Sequence, residues 1–181
     1  MKNLFSSRFC LAISLGFVIL LLAVPMLAED GFLRTRVNPA VAGVFVNGQY
    51  KGTVSQFEHM KRAIRLAPGE YKVEIIDPRY KPLVKTVTIE AGKTEVIRER
   101  LTPKPLAQPP FGKLKIKKGE RAAIFLNNAY YGQADEFNGP GQELLVKPGT
   151  YNLRVVPMDG RSPLEQKVTI TANKTTTITM Q

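Results

Sequence analysis

The chain has 181 residues, a formal net charge of +11, one cysteine, one histidine and no tryptophan. A single cysteine cannot close an intramolecular disulfide, and with a single histidine it cannot supply the ligands of a Cys₄ or Cys₂His₂ zinc site. Such a basic chain is expected to contact anionic partners, or to carry the charge for solubility alone.

The N-terminal residues have the composition of a membrane-targeting segment. Lys2 and Arg8 are its only charged residues, and the run from Phe9 to Ala28 has none. A basic start followed by an apolar run is typical of a secretory signal, with the basic end on the cytoplasmic side. The sequence Met26-Leu27-Ala28 only half matches a cleavage site. Residues 1–28 are therefore predicted to be a cleaved signal peptide or a retained signal anchor.

Both alternatives lead to the same location for the rest of the chain. It is predicted to be exported and extracytoplasmic, in the periplasm or at the cell surface. If the segment is retained, residues 9–28 anchor the protein to the cytoplasmic membrane.

The exported part contains an internal repeat. Residues 44–52 (VFVNGQYKG) match residues 124–132 (IFLNNAYYG) at an offset of 80. The agreement falls on apolar and turn positions and keeps its order through both halves, which indicates two copies of one module. The other matched segments are 66–73 with 146–153, and 87–94 with 168–175.

A proline-rich segment lies between the copies. Residues 103–110 (PKPLAQPP) contain four prolines, which favour an extended, semi-rigid spacer and oppose a helix. The predicted organisation is a signal or anchor at 1–28, a first β domain at 31–102, a linker at 103–110 and a second β domain at 111–181.

Both copies carry the signals of short strands and tight turns. Asn47-Gly48 and Asn127-Asn128 follow apolar runs and suit type I′ hairpins, because Asn and Gly tolerate positive φ. Pro68-Gly69 and Pro148-Gly149 suit type II turns. Apolar residues then alternate with polar ones, as in a strand with one buried face. These patterns predict an all-β protein of two small tandem sandwiches. The alternating residues are Tyr71, Val73 and Ile75, matched by Tyr151, Leu153 and Val155.

The stretch from Pro39 to Thr53 resembles the PEGA domain family, whose pattern is roughly P-x-G-A-x-V-x-V-[DN]-G-x-x-x-G-T-x-P. Val41 and Ser55 depart from that pattern, and the second copy is more degenerate. The resemblance implies a compact β-sandwich of prealbumin or immunoglobulin-like type in exported envelope proteins. It implies no shared catalytic residue or cofactor. The matching residues are Pro39, Ala42, Val44, Val46, Asn47, Gly48, Gly52 and Thr53, and the second copy keeps Ala122, Ile124, Leu126, Asn127 and Gly132.

The inventory of reactive side chains argues against an enzyme. His59 is the sole histidine and lies in a turn-rich stretch, and no nucleophile-elbow motif surrounds a serine. The acids sit mainly beside turns, where local hydrogen bonding explains them. Asp135-Glu136 offers clustered oxygens for calcium, but no ligand spacing supports a site. The prediction is a non-enzymatic protein with no catalytic, cofactor or metal site.

The most informative surface pattern is a basic stripe near the start of each copy. Arg34 and Arg36 alternate with apolar or small residues, as do Lys113, Lys115 and Lys117. Strand geometry places each set on one face. One interpretation is an anion-binding face, strengthened by the presence of two linked copies. The other is protection of an exposed sheet edge, where lysines discourage aggregation.

These features predict a non-catalytic, exported cell-envelope protein that acts as a structural or protein-interaction module. The alternative is a binder of envelope carbohydrate or anionic polymer through the basic strand face. The expected partners are an envelope protein or an anionic cell-surface polymer, not nucleic acid, with membrane contact only through an uncleaved N-terminal segment. Tyr50, Tyr130 and Tyr131, near the hairpins, are candidates for contact with a glycan or polypeptide, or for packing at the core edge.

Overall fold

The computed structural model describes residues 29–139 and 141–180. Within these residues the regular structure is β-strand, with short 3₁₀ helices at Val54–Phe57, Met60–Arg62 and Ala134–Phe137 and no α-helix. The predicted all-β class with two small tandem β domains is confirmed. The predicted leader, residues 1–28, lies outside the described residues.

Each of the two units contains seven strands. Those of the first unit are β1 (Gly31–Asn38), β2 (Gly43–Val46), β3 (Gln49–Thr53), β4 (Ile64–Leu66), β5 (Gly69–Ile76), β6 (Leu83–Ile89) and β7 (Thr94–Arg100). Those of the second unit are β8 (Gly112–Lys117), β9 (Ala122–Leu126), β10 (Ala129–Gln133), β11 (Leu144–Val146), β12 (Gly149–Pro157), β13 (Leu164–Ile170) and β14 (Thr175–Thr179).

The two units have the same topology. In the first, a three-stranded sheet of order β4-β1-β7 faces a four-stranded sheet of order β3-β2-β5-β6. In the second, the corresponding orders are β11-β8-β14 and β10-β9-β12-β13. The central strand of each small sheet pairs antiparallel with one neighbour and parallel with the other. Each unit is therefore a two-layer sandwich with its own apolar core.

The predicted asparagine hairpins are confirmed. Asn47 and Gly48 have φ of 48° and 76°, and Asn127 and Asn128 have φ of 50° and 65°, so both turns need residues that tolerate positive φ. The asparagines also tie each hairpin to the next strand. Asn47 Oδ1 accepts a hydrogen bond of 2.9 Å from the backbone N–H of Lys72 in β5. Asn127 Oδ1 accepts one of 2.9 Å from the backbone N–H at the equivalent position of β12.

The predicted type II turns are wrong. Gly69 and Gly149 have φ of 153° and 155°, far from the value near +80° that a type II turn requires, and they are the first residues of β5 and β12. A tyrosine two residues later explains the difference. Tyr71 Oη donates to the carbonyl of Ala67 at 3.0 Å, and the equivalent tyrosine of the second unit makes the same bond, so each ring spans the strand entry beside its glycine.

The two sandwiches pack against each other through their four-stranded sheets. Val44 and Val46 of β2 point into the first core, while Phe45 between them points outward. Phe125 of β9 does the same from the second unit, and the two phenylalanines share one buried cluster. The chain therefore forms four layers, with the four-stranded sheets in the centre and the three-stranded sheets on the outside.

The start of the predicted linker is attached to the first unit. The backbone N–H of Lys81 donates to Thr102 O at 2.8 Å, and that of Lys104 donates to Arg79 O at 2.8 Å. Leu106, further along, is fully accessible to solvent at 89% exposure. The later part of the proline-rich segment is held from the other side, since the Gln108 carbonyl accepts a hydrogen bond from Lys147 Nζ of the second unit.

Candidate anion-binding faces

The basic stripe lies on the outermost sheets. In β1, Leu33 and Val37 are buried in the core, whereas Arg34 and Arg36 lie on the opposite, outer face. Thr35 is also fully buried, and its hydroxyl donates to Val54 O at 3.3 Å. The alternation predicted from the sequence thus describes β1 correctly. In β8, the buried residues alternate in the same way with the exposed or half-buried lysines of the stripe.

The position of β1 and β8 in their sheets bears on the edge-protection interpretation. β1 lies between β4 and β7, and β8 lies between β11 and β14, so both are central strands. β4 pairs with β1 only over Gly31–Leu33, and β11 pairs with β8 only over Gly112–Leu114, so beyond these residues each strand pairs with its parallel neighbour alone. Most of the stripe lies on these singly paired stretches, so edge protection stays a prediction beside the anion-binding interpretation.

The parallel neighbour β7 adds two arginines that sequence reasoning missed. Arg98 lies directly opposite Arg36 in the register, and Arg100 lies opposite Asn38. Both are exposed on the outer face. The alternation in Thr94–Arg100 signals an outward arginine pair, but nothing local shows that β7 pairs with β1. We call the set Arg34, Arg36, Arg98 and Arg100 the arginine face.

Three residues of the arginine face have no ion-pair partner among the described residues: Arg36, Arg98 and Arg100. Arg34 is engaged differently, since its Nε donates to the backbone carbonyl of Glu58 at 3.1 Å and its terminal nitrogen contacts the same oxygen. It therefore braces the loop before Met60–Arg62.

The acids of β7 do not neutralise this face. Glu95 and Glu99 alternate with the arginines and lie on the other side of the strand. Glu99 pairs with Lys85 of β6 at 2.6 Å. Asp30, just before β1, forms an ion pair of 2.9 Å with Arg65 of β4. The arginine face therefore keeps its positive charge.

The second unit presents lysines in the equivalent place. Lys113, Lys115 and Lys117 lie on the outer face of β8, and we call them the lysine face. Lys113 Nζ lies 3.6 Å from a carboxylate oxygen of Glu143. Hydrogen bonding from its own backbone N–H, and secondarily Lys113, lower the pKa of Glu143. The parallel neighbour β14 contributes threonines instead of arginines, namely Thr175, Thr177 and Thr179 opposite the three lysines.

The candidate tyrosines lie elsewhere. Tyr50 and Tyr130 are packed with Phe45 and Phe125 between the units, and Tyr131 packs against the core of the second unit. Burial raises the pKa of both Tyr50 and Tyr130. Their rings are therefore part of the interface between the units, and the basic faces are formed without them.

The remaining candidate groups are the histidine and the two adjacent acids, and both acids accept hydrogen bonds from the backbone. His59 is exposed at the start of the helix Met60–Arg62. The Asp135 carboxylate accepts hydrogen bonds of 3.0 and 2.9 Å from the backbone N–H of Arg121, and Glu136 Oε1 accepts one of 2.9 Å from the N–H of Gln133. Among residues 29–139 and 141–180, no three His, Cys, Asp or Glu side chains converge on a potential metal position. Nor does that part of the chain include a helix suited by length and hydropathy to crossing a membrane.

The fold defines a class of protein, a tandem pair of seven-stranded β-sandwiches. Comparison with protein families then gives a match for the first unit: residues 31–105 match the PEGA domain, which confirms the resemblance drawn from the sequence. The match extends to the linker residues attached to the first unit. The family assignment agrees with a module that does not carry out catalysis.

Comparison with solved structures gives one further similarity. The structure titled "The Bacillus anthracis TIE protein" shares 16% sequence identity, with 84% of this chain and 33% of that chain covered. The chain thus spans about a third of that protein's length, and the TM-score of 0.30 is too low to define a common fold. No curated protein matches the sequence.

Proposed function

We propose that this is an exported, non-catalytic cell-envelope protein that binds an anionic surface polymer through its basic sheet faces. The observation that carries the proposal is that Arg36, Arg98 and Arg100 have no ion-pair partner among the described residues. Arg36 and Arg98 lie side by side on neighbouring strands, where like charges destabilise a sheet. Because this pair does not stabilise the fold, we attribute its charge to binding of an anionic ligand.

The shape of the faces favours an extended ligand. Residues two apart on a strand are about 6.6 Å apart, so each face offers a row of cations at regular intervals. The faces are the flat outer sides of sheets. A polymer that carries carboxylates or phosphates at intervals can contact several cations at once, and guanidinium groups bind both anions in bidentate geometry.

Export supports the same proposal. The basic and apolar composition of residues 1–28 is typical of a secretory signal, which places both faces where envelope polymers occur. Outside the cell, nucleic acid is not the expected anion. Whether the segment is cleaved or retained, the β units face the same compartment.

The test is binding of the full chain, kept in solution with a non-ionic detergent, to two probe polymers. Poly-γ-glutamate presents carboxylates and poly(glycerol phosphate) presents phosphates, so the two arms distinguish the anion. We expect affinity to fall steeply with salt, and to weaken about tenfold or more when Arg36, Arg98 and Arg100 are changed together to Gln, because released counterions drive such binding. The control changes Lys81, Lys104 and Lys167 to Gln, which removes equal charge elsewhere. Equal loss in the control, or no binding of either polymer, would contradict the proposal.

A structural or protein-interaction module is the second candidate. The observation that favours it is the open edges of the four-stranded sheets, where β6 and β13 each pair with a single neighbour. An exposed edge can accept a strand from a partner protein. Under this alternative, binding to an envelope protein would be insensitive to salt and to the arginine and lysine substitutions.

A further inference from the structure

The arginine face and the lysine face point in opposite directions. Each lies on the outer side of a three-stranded sheet, and the four-stranded sheets occupy the centre of the four-layer stack. Three inter-sheet spacings of about 10 Å each separate the two outer sheets by about 30 Å. One straight polymer cannot lie on both faces at once.

From this arrangement we propose that a single chain bridges two anionic polymer strands, one held on each face. The inference rests on the proposed function, because it requires each face to bind a polymer. It goes further in stating that the two linked modules act as a cross-link, whereas avidity for one strand would require both faces on one side. The ligand class is an extended polymer bearing carboxylates or phosphates.

The aromatic interface between the units holds the two basic faces on opposite sides of the protein. Phe45 and Tyr50 of the first unit each contact both Phe125 and Tyr130 of the second, with ring-centroid distances from 5.3 to 6.3 Å. The Tyr50 hydroxyl also accepts a hydrogen bond of 3.1 Å from Gln133 Nε2 across the interface. Aromatic pairs of this geometry stabilise beyond their buried area. A spacer alone would let the units turn their basic faces to the same side, but this packing opposes it.

The two faces also differ in chemistry. The arginine face carries guanidinium groups on two neighbouring strands, whereas the lysine face carries ammonium groups on one strand, flanked by threonine hydroxyls. Arginine forms bidentate contacts with carboxylate or phosphate, and lysine acts as a point charge. The arginine face is therefore expected to bind its strand more tightly and the lysine face to exchange faster.

A two-polymer capture assay tests the inference. Poly(glycerol phosphate) is immobilised, the full chain is added, and fluorescent poly(glycerol phosphate) is then offered in solution; poly-γ-glutamate replaces it in a parallel arm. We expect the captured fluorescence to rise and then fall with protein concentration, because excess bivalent linker saturates each strand separately. The variant with Arg36, Arg98 and Arg100 changed to Gln, and the variant with Lys113, Lys115 and Lys117 changed to Gln, should each lose most of the capture.

The variants separate the two proposals. If each single-face variant still binds one polymer and wild type captures no second strand, bridging is overturned and the proposed function stands. If neither polymer binds wild type at all, both fail. Capture by an equimolar mixture of the two single-face variants at the wild-type level would assign bridging to association between chains, and would also overturn the inference.

Discussion

The rings of Phe45 and Phe125 meet edge to face between the two sandwiches, with centroids 6.3 Å apart and planes at 83°. The two residues occupy the same position in the repeat, 80 residues apart. Their neighbours obey the same relation, since Tyr50 is equivalent to Tyr130 and each tyrosine contacts both phenylalanines. Contact of a patch with its own equivalent is the property of a two-fold interface. The duplicated modules are thus related by an approximate two-fold axis through this cluster.

The symmetry breaks at the rim of the interface. Arg154 lies over the Phe125 ring, with its guanidinium carbon 4.6 Å from the centroid. The equivalent residue beside Phe45 is Glu74, which forms an ion pair of 2.9 Å with Lys72. The two copies have therefore diverged around a shared aromatic centre.

Replacing Phe125 with Ala should uncouple the units. Truncating a buried phenylalanine costs about 3 kcal/mol or more, and here the loss falls on the contact between two separately cored sandwiches. We expect calorimetry to show one transition in wild type and two in the variant, and small-angle scattering to show a larger radius of gyration. Phe32→Ala, on the outer face of β1, is the control and should leave the scattering unchanged. A variant with wild-type scattering and a single transition would refute the coupling.

Gly43 is the position where the second unit approaches the first unit's backbone. A Cβ at Gly43 would lie 2.8 Å from a ring carbon of Tyr130. Gly43→Ala should therefore destabilise the interface by about 1–3 kcal/mol, the usual effect of overpacking. In a double-mutant cycle, Tyr130→Leu should remove much of that penalty because it takes away the clashing ring. Additive losses in the chemical denaturation of the double variant would show that the contact is absent.

The features that could be predicted from the sequence are those that depend on neighbouring residues. The alternation through Leu33 and Val37 identifies the buried side of β1, and Asn47-Gly48 identifies the hairpin between β2 and β3, because period and φ preference are properties of neighbouring residues. The apolar run in β9, Ala122–Leu126, also carries a signal of burial on both faces, although the partner sheet cannot be read from it.

The missed features depend on long-range pairing. Arg98 joins the arginine face only because β7 runs parallel to β1, in a register that puts it opposite Arg36. Parallel strands are joined by long connections, so no turn motif in the sequence predicts the pairing of β1 with β7. Likewise, the central position of β1 and β8 could not be predicted from the stripe, because strand order in a sheet is a tertiary property.

Replacing Arg98 with Gln should separate stability from binding. The substitution removes a like-charge contact with Arg36 while keeping an extended, polar side chain on the strand. We expect the free energy of unfolding at low salt to rise by roughly 0.2–0.5 kcal/mol, while affinity for the anionic polymer falls. Added salt should abolish the stability difference. The same change at Arg62, exposed and outside the sheet, serves as control. A loss of stability in Arg98→Gln would mean that the arginine supports the fold.

Glu136 should make stability depend on pH in the acidic range. Burial raises the pKa of its carboxyl above the ordinary value of 4.5, despite a hydrogen bond from the N–H of Gln133 and the nearby charge of Arg79. Between the ordinary and the raised values the folded chain holds a proton that the unfolded chain has released, so stability falls as pH rises through that window. The equivalent residue in the first unit is Gln56, whose Oε1 accepts the same bond from the N–H of Thr53 at 3.2 Å.

Glu136→Gln should therefore stabilise the protein at neutral pH, by on the order of 0.5 kcal/mol, because the amide oxygen keeps the hydrogen bond and carries no charge to bury. Below the ordinary carboxyl pKa, where Glu136 is protonated in both states, the variant and wild type should have equal free energies of unfolding. Urea denaturation at a series of pH values measures the difference. Glu120→Gln, on an exposed loop residue, provides the matched control and should show no such pH dependence. A difference of the same size at acidic and neutral pH would show that the substitution acts through packing, not through the buried charge.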